Sequence, residues 1–264
     1  MQAHHPTSLD EALAAVVAGA TPLAGGTDLM VEVNFGRHRP EHIVGLRRVA
    51  ELSEWDGSRI GAGVTWRRIE RDGPLALAQA ARTVGSPQIR NAGTIGGNLG
   101  TASPAGDGHP FIAAVDAHIE LTSSRGRRNL PWSEFFTGVK KTARAEDELI
   151  TAVVLPEQLP DRQHFAKVGV RNAMVISTVC AVVTRSDDGR TTIGLGSVAP
   201  TPIRAMRAEE MISAVARPTE ADLVEFARLV SEEVQPITDH RSTEAYRRHA
   251  AGVLARRLLM RCLR

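Results

Sequence analysis

The chain has 264 residues, 42% hydrophobic and 23% charged, and its 32 basic and 30 acidic side chains leave a formal net charge of +2. That length and balance fit a soluble globular protein of one large domain or two to three small ones, and the charge gives no argument for a nucleic-acid partner. Two widely separated cysteines, Cys180 and Cys262, exclude a disulfide framework and a local zinc or iron–sulfur ligand set, so any cluster must sit on another chain.

No run approaches the roughly 20 apolar residues of a membrane helix. Residues 1–6 lack a basic stretch followed by an apolar one, so no signal peptide is expected and a cytoplasmic location is. Ser8 with Glu11 three residues on reads as a capping box, opening a helix over Leu9–Val17 that Gly19 ends. A short strand over residues 21–24 runs into Gly25-Gly26, a helix follows over 28–35 and a strand over 43–46. Alternation at Ile60, Ala62 and Val64 predicts another strand. Thr65 caps a short helix, and Pro74 suits the first turn of a helix over 75–84. Residues 85–107, with six glycines and two prolines, read as one long functional loop. A helix resumes at 111–115, strands are expected at 119–122 and 149–155, and 159–163 reads as a linker. Strands over 178–184 and 191–198 join through Asp187-Asp188-Gly189. Helices close the chain: Thr219 with Asp222 caps 223–234, and 243–263 is one long helix.

Two glycine motifs carry the chemistry. In each, Gly25-Gly26 and Gly96-Gly97, a glycine pair stands beside threonines where the chain must turn, and backbone N–H groups with no Cβ in the way can approach an anion closely. Two such segments suggest a diphosphate held from both sides. Gly25-Gly26 alone equally fits a plain turn, and Thr27-Asp28 an N-cap, while a helix directly after the pair adds the positive end of its dipole. Neither segment is G-x-G-x-x-G after a strand or G-x-x-x-x-G-K-[ST], which disfavours the common NAD and ATP folds.

Ala24-Gly25-Gly26-Thr27-Asp28-Leu29, then Ile89-Arg90-Asn91 with Thr94-Ile95-Gly96-Gly97-Asn98-Leu99, then Ser103-Pro104 with Asp107, together resemble the FAD-binding medium subunit of molybdenum hydroxylases of the carbon monoxide dehydrogenase and xanthine dehydrogenase type. Residues 196–205 and Tyr246-Arg247-Arg248-His249 resemble the family's C-terminal domain. The resemblance implies an α+β fold of the vanillyl-alcohol-oxidase type. It has FAD-binding subdomains at 1–55 and 56–160 and a C-terminal domain of antiparallel sheet plus helices at 161–264. It implies FAD as cofactor, with Leu23, Ala24, Gly25, Gly26, Thr27, Asp28 and Leu29 around the diphosphate through backbone N–H groups and the Thr27 hydroxyl. Thr94, Ile95, Gly96, Gly97 and Asn98 would do the same from the second subdomain. Ser103 belongs to the same set, Asp107 would take the sugar hydroxyls, Ile150 would pack on the flavin, and Lys167 would stand near the isoalloxazine, where its charge favours reduced flavin.

The implied function is electron transfer: electrons arrive from a [2Fe-2S] small subunit, substrate is hydroxylated at a molybdopterin centre on a large subunit, and the flavin passes pairs to NAD, oxygen or a quinone. A stand-alone FAD oxidoreductase of the same fold is the alternative. No side chain of this chain need act as acid or base. One departure stands out: Val175 occupies the place of an aspartate that family members often carry four residues after the arginine matching Arg171. The scattered histidines, including His38, His42, His109 and His118, show no metal-ligand spacing. The arginines crowding the last helix read as a solvated or partner-facing surface, not a nucleic-acid site.

Overall fold

The computed structural model describes residues 1–172 and 174–264. The chain opens with β1 (Gln2–His4), α1 (Leu9–Val17), β2 (Thr21–Leu23), α2 (Leu29–Asn34) and β3 (His42–Gly45). Both β1 and β2 pair with β3 in parallel, giving a small three-stranded sheet. The Ser8 hydroxyl accepts the Glu11 N–H, as a cap should, but the Glu11 carboxylate reaches the Thr7 N–H instead of Ser8, so the box is only half formed. Ala12, Leu13 and Val16, at helical spacing, bury against Val44, Val49 and Leu52.

Next come β4 (Trp55–Asp56), β5 (Arg59–Gly61), α3 (Trp66–Asp72), α4 (Leu75–Thr83), α5 (Pro87–Ala92), α6 (Ile95–Thr101) and α7 (His109–Ala114). They are followed by β6 (His118–Ser123), β7 (Gly126–Pro131), α8 (Trp132–Phe135), β8 (Phe136–Gly138), β9 (Lys141–Thr142) and β10 (Leu149–Val154). Five of these strands form a sheet ordered β4-β5-β10-β6-β7, with β8 and β9 a separate hairpin. The expected long loop over 85–107 is corrected here. It holds two short helices, α5 and α6, each started by a hydroxyl: Ser86 accepts the Ile89 N–H and Thr94 the Gly97 N–H. The glycines that argued for a loop are tolerated because tertiary packing overrides their poor helix propensity.

The last third contains β11 (Arg162–Val168), β12 (Val179–Arg185), β13 (Thr191–Gly196), β14 (Ile203–Arg204), α9 (Met206–Ser213), α10 (Glu220–Glu233) and α11 (Glu244–Cys262). The expected linker over 159–163 is shorter than read, since β11 already begins at Arg162. The four strands pair antiparallel in chain order. Every residue of β12 is buried, because both faces of this sheet are covered. Cys180 and Val182 point into the core shared with α4, α6 and α7. Val179, Ala181 and Val183 point the other way, into the core made with α9, α10 and α11. The sheet is thus a wall between two cores, and its edge near Lys167 meets the α6–α7 turn. Among the described residues no helix is long and apolar enough to cross a membrane.

Candidate cofactor site

The first glycine motif leaves the small sheet at Leu23 and turns into α2. Gly26 has φ of +71°, a conformation that an L side chain rarely adopts. Gly25 is fixed by contact instead: a Cβ there would stand 1.9 Å from the Ala92 carbonyl oxygen and 2.9 Å from Gly93 Cα. The motif is therefore pressed against the junction of α5 and α6, which brings the two glycine segments together. Thr101 Oγ1 donates to the Asp28 carboxylate at 2.8 Å, tying the far end of α6 to the start of α2. A Cβ on Gly97 would come within 3.9 Å of Ala24.

The two segments use their backbones differently. Among the described residues, the N–H groups of Gly25, Gly26, Thr27, Asp28 and Leu29 have no hydrogen-bond partner. In the second segment, the Ile95 N–H donates to the Val64 carbonyl at 3.0 Å and that of Gly96 to Ala62 at 2.9 Å. The Gly97 N–H donates to Thr94 Oγ1 at 3.0 Å and that of Asn98 to the Thr94 carbonyl at 3.1 Å. Four of the N–H groups expected to cradle an anion from this side are thus engaged within the chain. Gly96 is small for packing, since a Cβ would meet Ala62 Cβ at 2.5 Å.

What α6 offers instead is a bare face. Ile95, Gly96 and Leu99 are buried, while Gly97 and Gly100, three apart and so on one side, are exposed. A Cβ on Gly100 would touch only Ile150 Cδ1, at 3.6 Å. Each glycine inside a helix costs about 1 kcal/mol relative to alanine. A strip without side chains beside a row of unpartnered N–H groups fits an extended cofactor with an anionic diphosphate. FAD fits this geometry.

Beyond α6 the chain turns at Ala102, φ +44°, through Ser103 to Asp107. Ser103 Oγ accepts the Ala105 N–H at 3.3 Å. Asp107 is buried, and its carboxylate faces inward, to Ser177, Thr83 and Lys167. Lys167 ends its side chain against Asp107 and the Val175 carbonyl. Ile150, 8% exposed, stands at the edge of the core beside Gly100. Arg171 is exposed and donates to the Met174 carbonyl at 2.5 Å, while Val175, in the aspartate's place, packs against Gly169 and offers only its carbonyl. The sequence reading missed Gly100, Thr83 and Ser177. Gly100 lay within the glycine run and could have been found from its three-residue spacing to Gly97, whereas Thr83 and Ser177 join the site only through tertiary contact.

His109 lies beneath the same turn, fully enclosed. Burial lowers its pKa to about 4, outweighing the opposing effect of the Asn98 carbonyl beside it, so it is neutral at pH 7. Nε2 stands 3.3 Å from the Asn98 carbonyl and Nδ1 has no partner. Among the described residues no group of three or more His, Cys, Asp or Glu side chains is placed to hold a metal.

The fold is that of a flavoprotein that binds FAD. Residues 1–158 match the model of the FAD binding domain in molybdopterin dehydrogenase, and residues 164–262 that of the CO dehydrogenase flavoprotein C-terminal domain. The chain belongs to the FAD-binding medium subunits of the molybdenum hydroxylases. It is 33% identical over 255 residues to the xanthine dehydrogenase FAD-binding subunit of Escherichia coli O157:H7, covering 90% of this chain and 86% of that one. A solved structure of carbon monoxide dehydrogenase from Hydrogenophaga pseudoflava, in a form lacking the Mo-pyranopterin moiety, is similar with a TM-score of 0.90 at 30% identity, covering 99% of this chain and 96% of that one. Quinoline 2-oxidoreductase from Pseudomonas putida 86 is similar with a TM-score of 0.91 at 25% identity, over 100% and 96% of the two chains. This chain is thus an oxidoreductase subunit that binds FAD.

Proposed function

We propose that the chain passes electrons from a [2Fe-2S] small subunit to an external acceptor (NAD, oxygen or a quinone) in a cytoplasmic assembly whose large subunit carries molybdopterin and the hydroxylation chemistry. The observation that carries this reading is the bare face of α6 set beside the unpartnered N–H groups of residues 25–29. Bound there, FAD supplies the exchange between single electrons and pairs. The N–H groups of Gly25 to Leu29 and the Thr27 hydroxyl hold the diphosphate, Leu23 and Ala24 shape the turn, and Thr94, Asn98 and Ser103 line the length of α6. Ile95 and Gly96 act from beneath by fixing α6 to Val64 and Ala62. Ile150 excludes water at the flavin, and Lys167 stands near the isoalloxazine. The chain divides into two FAD-holding units over 1–55 and 56–160 and a C-terminal unit over 161–264.

On α11, Arg247 is buried, Arg248 pairs with Glu244 and Arg256 with Glu220, while Arg257 and Arg261, one turn apart, are exposed. The reading is tested by isolating the native assembly and the full chain alone. The assembly should contain iron, molybdenum and one FAD per copy of this chain, and the isolated chain should bind FAD without hydroxylating any substrate. Substrate turnover by the isolated chain would overturn the reading in favour of a stand-alone oxidoreductase.

A further inference from the structure

The helix that follows the first glycine motif is apolar and uncovered. Leu29, Met30, Val31 and Val33 lie in α2 and Phe35 ends it, yet within the described residues none of α2 is buried. By contrast, α1 buries Ala12, Leu13 and Val16. A helix of six residues is too short to hold itself in water, and polar ties steady this one. The Asp28 carboxylate takes Thr101 Oγ1 at 2.8 Å, and the Glu32 carboxylate stands 3.6 Å from Lys140 Nζ and 3.8 Å from Arg37 Nη1.

Val31 and Phe35, four residues apart and so on one face, are 45% and 70% exposed. Lys140 belongs to the tip of the β8–β9 hairpin, where its neighbour Val139 is 55% exposed. The Glu32–Lys140 pair therefore draws apolar side chains of two separate elements to one surface. Single exposed apolar residues are ordinary, but a cluster with a charged rim has the build of a protein interface. That rim is basic. Arg37, whose guanidinium lies 5.1 Å over the Phe35 ring, and Lys140 share the one carboxylate of Glu32, and Lys141 is exposed beside them. Both pairs are long and solvated, so they hold the cations weakly and leave them open to new partners.

We propose that this face, Val31 and Phe35 on α2 with Val139 and Lys140 on the hairpin tip, docks the [2Fe-2S] subunit through a surface with an apolar centre and an acidic rim. Two observations select this occupant. The charge disfavours a second copy of this chain, because a two-fold contact would set the same cations against each other. The position favours the subunit that delivers electrons. Asp28 is tied to Thr101, and the Lys140 N–H to the Ala102 carbonyl at 3.1 Å, so the face adjoins the end of the α6 strip argued to carry FAD. A subunit seated there stands at the rim of the cofactor groove. The choice of the [2Fe-2S] subunit rests on the electron-transfer reading proposed above; the existence of a docking face does not.

The native assembly, purified through a tag on this chain, tests the proposal by its iron, molybdenum and FAD per chain. Phe35→Glu and Val139→Glu should each lower the iron at least tenfold, with FAD content and circular dichroism unchanged. Val139→Lys, which adds the sign that an acidic rim tolerates, should keep iron within about threefold of the unaltered assembly. Equal loss in Val139→Glu and Val139→Lys overturns the acidic partner. A photoreactive benzoylphenylalanine in place of Phe35 should crosslink this chain to the [2Fe-2S] subunit, and a crosslink only to the large subunit or to a second copy overturns the choice of occupant. An unaltered assembly without iron overturns the electron-transfer reading and with it that choice. Iron present in the unaltered assembly and undiminished in both glutamate variants overturns the docking face alone. Should Phe35→Glu not accumulate as folded protein, the two Val139 variants, on the hairpin tip, decide the matter.

Discussion

Replacing Gly100 by alanine should make the chain more stable without cofactor and a poorer binder of it. Gly100 is exposed near the end of α6, and the added methyl would meet only Ile150 Cδ1, at an ordinary 3.6 Å. In a helix interior, glycine to alanine is favourable by about 1 kcal/mol, which for a chain of this size raises the melting temperature by roughly 2–4 °C. The same methyl lies on the strip argued to carry FAD. Forcing a group into a well-packed contact costs about 1–3 kcal/mol, or roughly 5- to 140-fold in Kd at 1.4 kcal/mol per tenfold. Gly97→Ala should behave alike, with a smaller gain in stability because its Cβ stands 3.2 Å from Thr94 Oγ1. Thermal unfolding of the chain without FAD and a fluorescence titration with FAD read the two effects separately. A variant that gains stability and binds FAD as tightly as the unaltered chain would refute the assignment of this face.

Gly25→Ala should do the opposite. Its Cβ would stand 1.9 Å from the Ala92 carbonyl oxygen, a backbone group that no side-chain rotation can relieve, so a loss of about 1–3 kcal/mol or more is expected in urea unfolding together with loss of FAD binding. His109 sets a pH dependence. Its pKa falls from 6.5 unfolded to about 4 folded, so the unfolded state binds more protons between these values and stability rises with pH across that window. At 1.36 kcal/mol per pH unit, about 3 kcal/mol present above pH 6.5 is lost by pH 4, and His109→Gln should flatten that part of the curve by this amount. Arg247→Met should cost about 1–3 kcal/mol or more in urea unfolding, because it strips the buried Thr178 and Ser197 carbonyls and takes from Asp239 one of its two guanidinium partners, leaving Arg241. Burial works against the ionised Asp239, but the N–H groups of Arg241 and Ser242 and the Arg247 guanidinium outweigh it and hold the carboxyl well below its usual range. The same variant should therefore lose less stability than the unaltered chain as pH falls through the carboxylate range.

The local signals were legible where one residue decides the backbone. Ser8, Thr65 and Thr219 start helices as their side chains predict, and the hairpin turn at 187–189 joins the strands on either side of it. The resemblance read from the two glycine motifs led to the family and to FAD. The region 85–107 was misread because its glycines were weighed as loop formers, whereas Gly96 lets α6 approach Ala62 and Gly97 and Gly100 keep the other face bare. Sequence could not separate these three roles, since each depends on what lies opposite in space. For the same reason the inward turn of Asp107 was invisible: Thr83, Lys167 and Ser177 come from α4, β11 and the segment just before β12, and only the packed sheet brings them to one carboxylate.

The central claim is that this chain relays electrons through FAD and leaves substrate chemistry to other subunits. Its most direct test is the full chain loaded with FAD, reduced chemically and mixed in a stopped-flow instrument with NAD, oxygen or a quinone, alongside a turnover assay with candidate hydroxylation substrates. The account predicts one reducible FAD per chain, reoxidation by at least one of these acceptors and no substrate turnover. A chain that takes up no FAD, or one that oxidises substrate unaided, would contradict it.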